Sequence, residues 1–307
     1  MMGALHKMTL AALLLCIVMT VLSAHIRLSD SGIGCEPWPD CFYSSFAIDD
    51  APGITIKAVD ANKGLRVFHR ITASVFGLIA VILFVFCLWF RKRLAVPIIP
   101  VTVVLLLTLV LAMVGMNTPD IVHPLVTTIN LGGGMLLCAV LYRFRLSLLS
   151  AETAHHQSLA SGLLMLAGLV TYVCIVSGAW TSANFAAGSC DRLMSCSHEG
   201  KIGLAFDPSR ALVIEGGAII SDAETSMIVL YHQLVAFALA ILLIGIGLHA
   251  LLQKRTEALI YLIMLTCLML AAAVPVTGLL LAELHNLFSL LLLLTLVHQY
   301  HYSLRGS

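Results

Sequence analysis

Two histidines in otherwise apolar surroundings are the residues whose chemistry the chain has to explain. His285 opens the last apolar segment in Glu283-Leu284-His285-Asn286 and is followed by a long aliphatic run. An ionisable group at that depth faces a bundle interior and has a specific partner. The candidate partner is His232, in Leu230-Tyr231-His232-Gln233 at the opening of an earlier segment. Two neutral imidazoles on facing helices are the simplest protein cage for a haem iron, here a low-spin haem b. The plainer alternative is a pair of interfacial histidines bonded to carbonyls or water. A closed zinc site takes about four ligands, and no third or fourth converges on this pair.

The first half of the chain carries a partial copy. His69, followed by Arg70, stands where His232 does, and Asn130, in Thr128-Ile129-Asn130-Leu131, stands where His285 does. Asparagine is a poor iron ligand, so this pocket would hold a haem through His69 alone, with the open axial position that a substrate or oxygen-activating haem wants. The alternative is decay of a duplicated site into ordinary packing. His123 lies on the same helix face as Asn130, about 10 Å further out, and Pro124 works against a helix that starts early enough to use it.

The nine cysteines divide into two sets. Cys16, Cys87, Cys138, Cys174 and Cys267 lie in apolar segments and read as inert packing residues. Cys35 with Cys41, and Cys190 with Cys196, form two close pairs in polar loops, each with five residues between. Outside the cytoplasm each pair is expected to close into a disulfide. A structural staple and redox exchange with an external thiol partner both remain open as roles. His6, His25, His155, His156, His198, His249, His298 and His301 read as solvated.

The elements that must position these residues are membrane spans. The chain has 307 residues, 60% hydrophobic and 11% charged, with mean hydropathy +1.01. That excludes a soluble or disordered chain. A net charge of +1 and the lack of a basic run argue against nucleic acid as a partner. Apolar segments at 8–24, 69–90, 96–116, 124–142, 159–180, 230–252, 258–274 and 283–300 predict eight transmembrane helices, each able to cross a hydrocarbon core of about 30 Å in contact with lipid. Residues 8–24 read as a retained span rather than a cleaved signal, although Ser23-Ala24 resembles a cleavage site.

Arg91, Lys92, Arg93, Arg143, Arg145, Lys254 and Arg255 fall in the links after alternate spans. By the positive-inside rule those links and the termini are cytoplasmic, and both cysteine loops are external to a bacterial inner membrane. Cysteine pair, histidine and hairpin recur in the same order, which predicts an all-α tandem repeat of two four-helix bundles, residues 1–146 and 147–307.

At Gly34-Cys35-Glu36-Pro37-Trp38-Pro39-Asp40-Cys41, His69-Arg70, His232 and His285, the chain resembles the haem A synthase family of cytochrome oxidase assembly proteins over essentially its whole length. The resemblance implies a membrane oxidoreductase that oxidises the methyl group of haem O to the formyl group of haem A in oxidase biogenesis. It implies a haem b between His232 and His285, haem O as substrate at His69, and a redox role for the loop cysteines. Haem O synthase and terminal-oxidase assembly proteins are the implied partners.

The sequence departs from the family pattern in three places: Arg66 stands where the family has a glutamate, Asn130 replaces the second first-half histidine, and Gln233 follows His232. Arg66 would anchor a haem propionate through a bidentate fork instead of supplying a carboxylate. Arg66 and Asn130 favour a non-catalytic haem carrier, sensor or assembly factor as the alternative. A b-type transmembrane electron carrier is a second alternative, and it needs haems near both faces, whereas every candidate ligand lies near one.

Overall fold

Hydrocarbon offers the backbone no hydrogen-bond partner, so an apolar chain that enters it must satisfy its peptide groups within helices. The computed structural model describes residues 1–30, 63–115, 124–149, 161–190, 196, 200–212, 214–215, 218–219, 222–252 and 279–304. Among the described residues are seven long helices: α1 (Met2–Asp30), α2 (Lys63–Leu94), α3 (Ile98–Gly115), α4 (Pro124–Leu149), α5 (Ser161–Ala183), α6 (Ala223–Leu252) and α7 (Leu279–Ser303). All seven are long and apolar enough to cross a membrane. The span expected at 258–274, with Cys267, lies outside the described residues, as do Cys35, Cys41, His123, His155, His156 and His198.

Local chemistry sets the helix ends. α2 stops at Leu94 with Ala95 in the left-handed conformation, φ 50°, and Pro97 just beyond. α6 is capped by Asp222, whose carboxylate accepts the Thr225 N–H at 2.9 Å. The same carboxylate holds Arg210 at 2.8 Å, and Arg210 also reaches Asn184 at 2.9 Å.

Small residues interleave with large ones on the faces that pack. In α1 the buried stripe runs Leu5, Thr9, Ala12, Cys16, Thr20, Ala24, Leu28, and in α2 it runs Thr72, Phe76, Ala80, Leu83, Cys87. Val75, Leu78, Ile82, Val85 and Trp89 of α2 point outward. Helices in lipid gain nothing from burying one aliphatic face rather than another, so close van der Waals approach selects the small residues. α4 carries this furthest. A Cβ on Gly132 would lie 3.3 Å from Val176 of α5, one on Gly133 2.6 Å from Leu111 of α3, and one on Gly134 3.5 Å from Thr20 of α1. Three consecutive glycines thus admit three neighbouring helices.

α1, α2, α3 and α4 pack in a closed ring, each against the next. In the second half, α5 packs against both α6 and α7. α4 packs against α5 and α7, and α1 against α7. The largest core cluster accordingly joins side chains of α1 to α4 with Ile175 and Ala179 of α5 and Leu290 and Leu293 of α7. A second cluster, of Leu164, Leu239, Leu243, Leu292 and Leu296 among others, belongs to α5, α6 and α7 alone.

The loop between α5 and α6 folds over their ends. It contains a short helical turn, Ile202–Ala205, and a two-residue antiparallel ladder pairing Ile214 with Ile219 and Glu215 with Ala218. Trp180 donates its indole N–H to the Ala205 carbonyl at 2.9 Å, and Ala186, Cys196, Ala205, Ile228 and Val229 pack around it.

Candidate functional site

α5 is the element that seats the site. His232 lies on α6 and His285 on α7, both helices pack on α5, and they form no extensive packed pair with each other. α6 starts at Ala223 under the Asp222 cap, so His232 sits about 13 Å along it at 1.5 Å per residue. His285 sits about 9 Å along α7. Both are deeper than the span openings expected from hydropathy, because the polar Glu224-Thr225-Ser226 turn and the Leu279-Leu280-Leu281 turn continue the helices outward.

The His232 ring rests on the α5 backbone. Its Nδ1 is 2.9 Å from the Ser177 hydroxyl. A Cβ placed on Gly178 would lie 3.0 Å from its Cε1 and 3.5 Å from both ring nitrogens. The ring is within electrostatic reach of His285. The Nδ1 of His285 is buried and has no hydrogen-bond partner among the described residues.

These residues fit a haem. A neutral imidazole held at one nitrogen offers the other as a ligand, and an imidazole with a buried, unpartnered nitrogen is one that the described residues leave short of a partner. The glycine seat gives the first ring room that any side chain would fill. No three His, Cys, Asp or Glu side chains converge among the described residues, so the pair falls short of a closed zinc site.

His69 and Asn130 are half-buried, in the early turns of α2 and α4. α2 and α4 both pack on α1, as α6 and α7 both pack on α5. Arg66 lies in the first turn of α2, and its side chain is outside the described residues. Cys190 and Cys196 are joined by a disulfide with Cα atoms 4.6 Å apart, in the loop that covers the ends of α5 and α6.

Set against these helices and this site, the sequence matches the family described as cytochrome oxidase assembly protein from residue 6 to residue 297, from α1 to α7. The chain belongs to that family. It is also similar to the heme A synthase of Shewanella oneidensis, 29% identical over 320 aligned residues that cover 95% of this chain and 94% of that protein.

The structure of this family member corrects the reading of several histidines as solvated. His25 on α1 pairs with Glu283 of α7, Nδ1 to Oε1 at 2.5 Å. Beside it, Arg27 of α1 donates to the Ser182 hydroxyl of α5. At the opposite end His301 is 2% exposed and receives the Arg143 guanidinium, and His298 meets the Tyr142 hydroxyl at 2.9 Å. The Nδ1 of His6 is buried. His25, His298 and His301 sit near helix ends where α1, α4 and α7 close on one another, and their partners are more than a hundred positions away in sequence.

α7 therefore has two working faces. Glu283, Asn286, Leu287 and Leu290 line a cleft with Thr20, Val21 and Ala24 of α1 and Met135 of α4. Leu292 and Leu296 pack into the second-half core with α5 and α6. The cleft faces the first half and is separate from the seat of His232. Ser177, Gly178, Arg27 and the partnership of Glu283 were missed from sequence. The only signal was a small, polar Ser177-Gly178 step inside an apolar span.

Proposed function

We propose that this chain is a haem A synthase-type membrane oxidoreductase of cytochrome oxidase biogenesis, oxidising the methyl group of haem O to the formyl of haem A. Membership of the cytochrome oxidase assembly protein family supports the role, as does similarity to a protein named heme A synthase. The observation that carries the reading is the His232 ring seated on α5, together with the buried Nδ1 of His285 on α7, which has no hydrogen-bond partner among the described residues.

In this reading His232 and His285 hold a haem b, which supplies one-electron redox chemistry in the second half. α5 orients the first ligand, and the loop closed by Cys190 and Cys196 covers the ends of α5 and α6 and limits water there. Haem O binds in the first half as substrate. His69 on α2 would contact its iron, Asn130 on α4 would add no second imidazole, and Arg66 would pair with a propionate. Cys35 and Cys41 exchange electrons with an external thiol partner. Haem O synthase and oxidase assembly proteins are the partners that would deliver substrate and accept product.

The membrane arrangement belongs to the same proposal. Residues 258–274 form an eighth span, and the two halves are tandem four-helix units, a repeat supported by the shared placement of α2 and α4 on α1 and of α6 and α7 on α5. The termini and the basic links lie on the cytoplasmic face of a bacterial inner membrane, and the cysteine loops lie outside.

Arg66 and Asn130 favour one other reading, a family member that binds haem without oxidising it. The two are separated by co-expressing the chain with a haem O synthase in a host that makes no haem A, then extracting and chromatographing the haems. The synthase reading expects haem A from wild type and none from His69→Ala. Haem A only from the double variant Arg66→Glu with Asn130→His makes the chain a non-catalytic relative, and haem A from none of them rejects the oxidation chemistry for the first half of this chain.

A further inference from the structure

Ser177 and Gly178 are consecutive residues of α5 that both meet the His232 ring. Ser177 is 6% exposed, so it has no lipid-facing or solvent-facing role. Its hydroxyl lies 2.9 Å from the Cys174 carbonyl, one turn back, and 2.9 Å from His232 Nδ1.

A serine hydroxyl has one proton and two lone pairs. The carbonyl can only accept, so the hydroxyl proton is committed to Cys174 and Ser177 meets the imidazole as an acceptor. His232 must then be the donor, with its proton on Nδ1. A neutral imidazole protonated at Nδ1 carries its lone pair on Nε2. Gly178 fixes where that lone pair goes, because the ring lies where a Cβ would come within 3.0 Å of Cε1. No equivalent holds His285, whose Nδ1 has no partner among the described residues.

We propose that Ser177 is a positioning residue, which with Gly178 holds His232 in the Nδ1-protonated form and presents Nε2 to the haem iron. This rests on the haem b reading above. It makes the two axial ligands unequal: His232 is pre-oriented and made more basic by donating its proton, and His285 is not. A more basic ligand stabilises ferric iron and lowers the potential, so loss of the acceptor raises it.

The test uses the purified, haem-loaded full chain, read by redox titration and by electron paramagnetic resonance of the ferric state. Ser177→Thr, which keeps the hydroxyl, and Gly168→Ala, on α5 with nothing within 4 Å of the added Cβ, should match wild type. Ser177→Ala should keep its haem with an upward-shifted potential and altered low-spin g values. Gly178→Ala should lose the low-spin signal to a high-spin one as the ring is pushed off the iron.

Ser177→Ala and Gly178→Ala both matching wild type, with the signal still lost in His232→Ala, would overturn the inference and leave the haem reading intact. So would a Ser177→Thr that shifts as far as Ser177→Ala, since the effect would then be packing. A wild type without low-spin haem b, or a His232→Ala that keeps it unchanged, would overturn both.

Discussion

Glu283 and His285 are two positions apart on one helix, about 200° around it, and they serve opposite sides. The carboxylate turns to His25 of α1 at 2.5 Å, and the imidazole belongs to the second half. The pair is partly exposed, with side chains at 34% for His25 and 23% for Glu283. Its removal should therefore cost about 1 kcal/mol, below the roughly 1.5–3 kcal/mol of a buried hydrogen bond to a charged group because solvent screens the pair. Glu283→Leu is expected to lower the thermal midpoint in detergent by about 2–4 °C, and Glu283→Gln, which keeps an acceptor for His25, by less. Equal losses in the two would mean that the bond contributes through charge alone. Nothing in the sequence around His25 identified its partner 258 positions away. A lone histidine near a span end has the same local signature whether it is solvated or paired.

At the scale of an element, α4 packs against α1, α3, α5 and α7, and its glycines make a graded prediction. An added Cβ has ordinary contact distance at Gly134, is tight at Gly132, and at Gly133 overlaps only the flexible end of Leu111. Gly134→Ala should be near neutral, and Gly133→Ala should be tolerated because the Leu111 side chain can turn away. Gly133→Val, whose branched side chain also meets the rest of Leu111, should cost about 1–3 kcal/mol. Denaturant unfolding in mixed micelles would rank the three, and a Gly134→Ala loss matching Gly133→Val would contradict this packing. The glycine triplet was plain in the sequence, but its meaning was not. Apolar residues are spread around α4, so hydropathy alone has no preferred side to point to the core.

For the whole molecule, the basic links and the cysteine loops should lie on opposite faces of the membrane. A membrane-impermeant maleimide applied to intact cells is expected to label Cys190 and Cys196 only after reduction, since the two are joined in the folded chain. Labelling confined to inverted vesicles would reverse the proposed orientation, and labelling without reductant would count against the disulfide.

The sequence by itself determined the all-helical, membrane-spanning class, the approximate place of seven helices and the two histidines worth attention. Lipid makes the span a matter of length and apolarity, which are local properties, and it makes a buried imidazole conspicuous. The tertiary structure decided what a local pattern cannot encode. It fixed which apolar residues face inward in α1 and α2, small ones such as Ala12, Cys16 and Ala80 alternating with Leu5, Phe76 and Leu83, and that one core crosses between the two halves. It turned His25, His298 and His301 from solvent to partners on other helices. It also set His232 on Ser177 and Gly178, a contact between helices α5 and α6 that arises only when a glycine lets the ring reach the backbone.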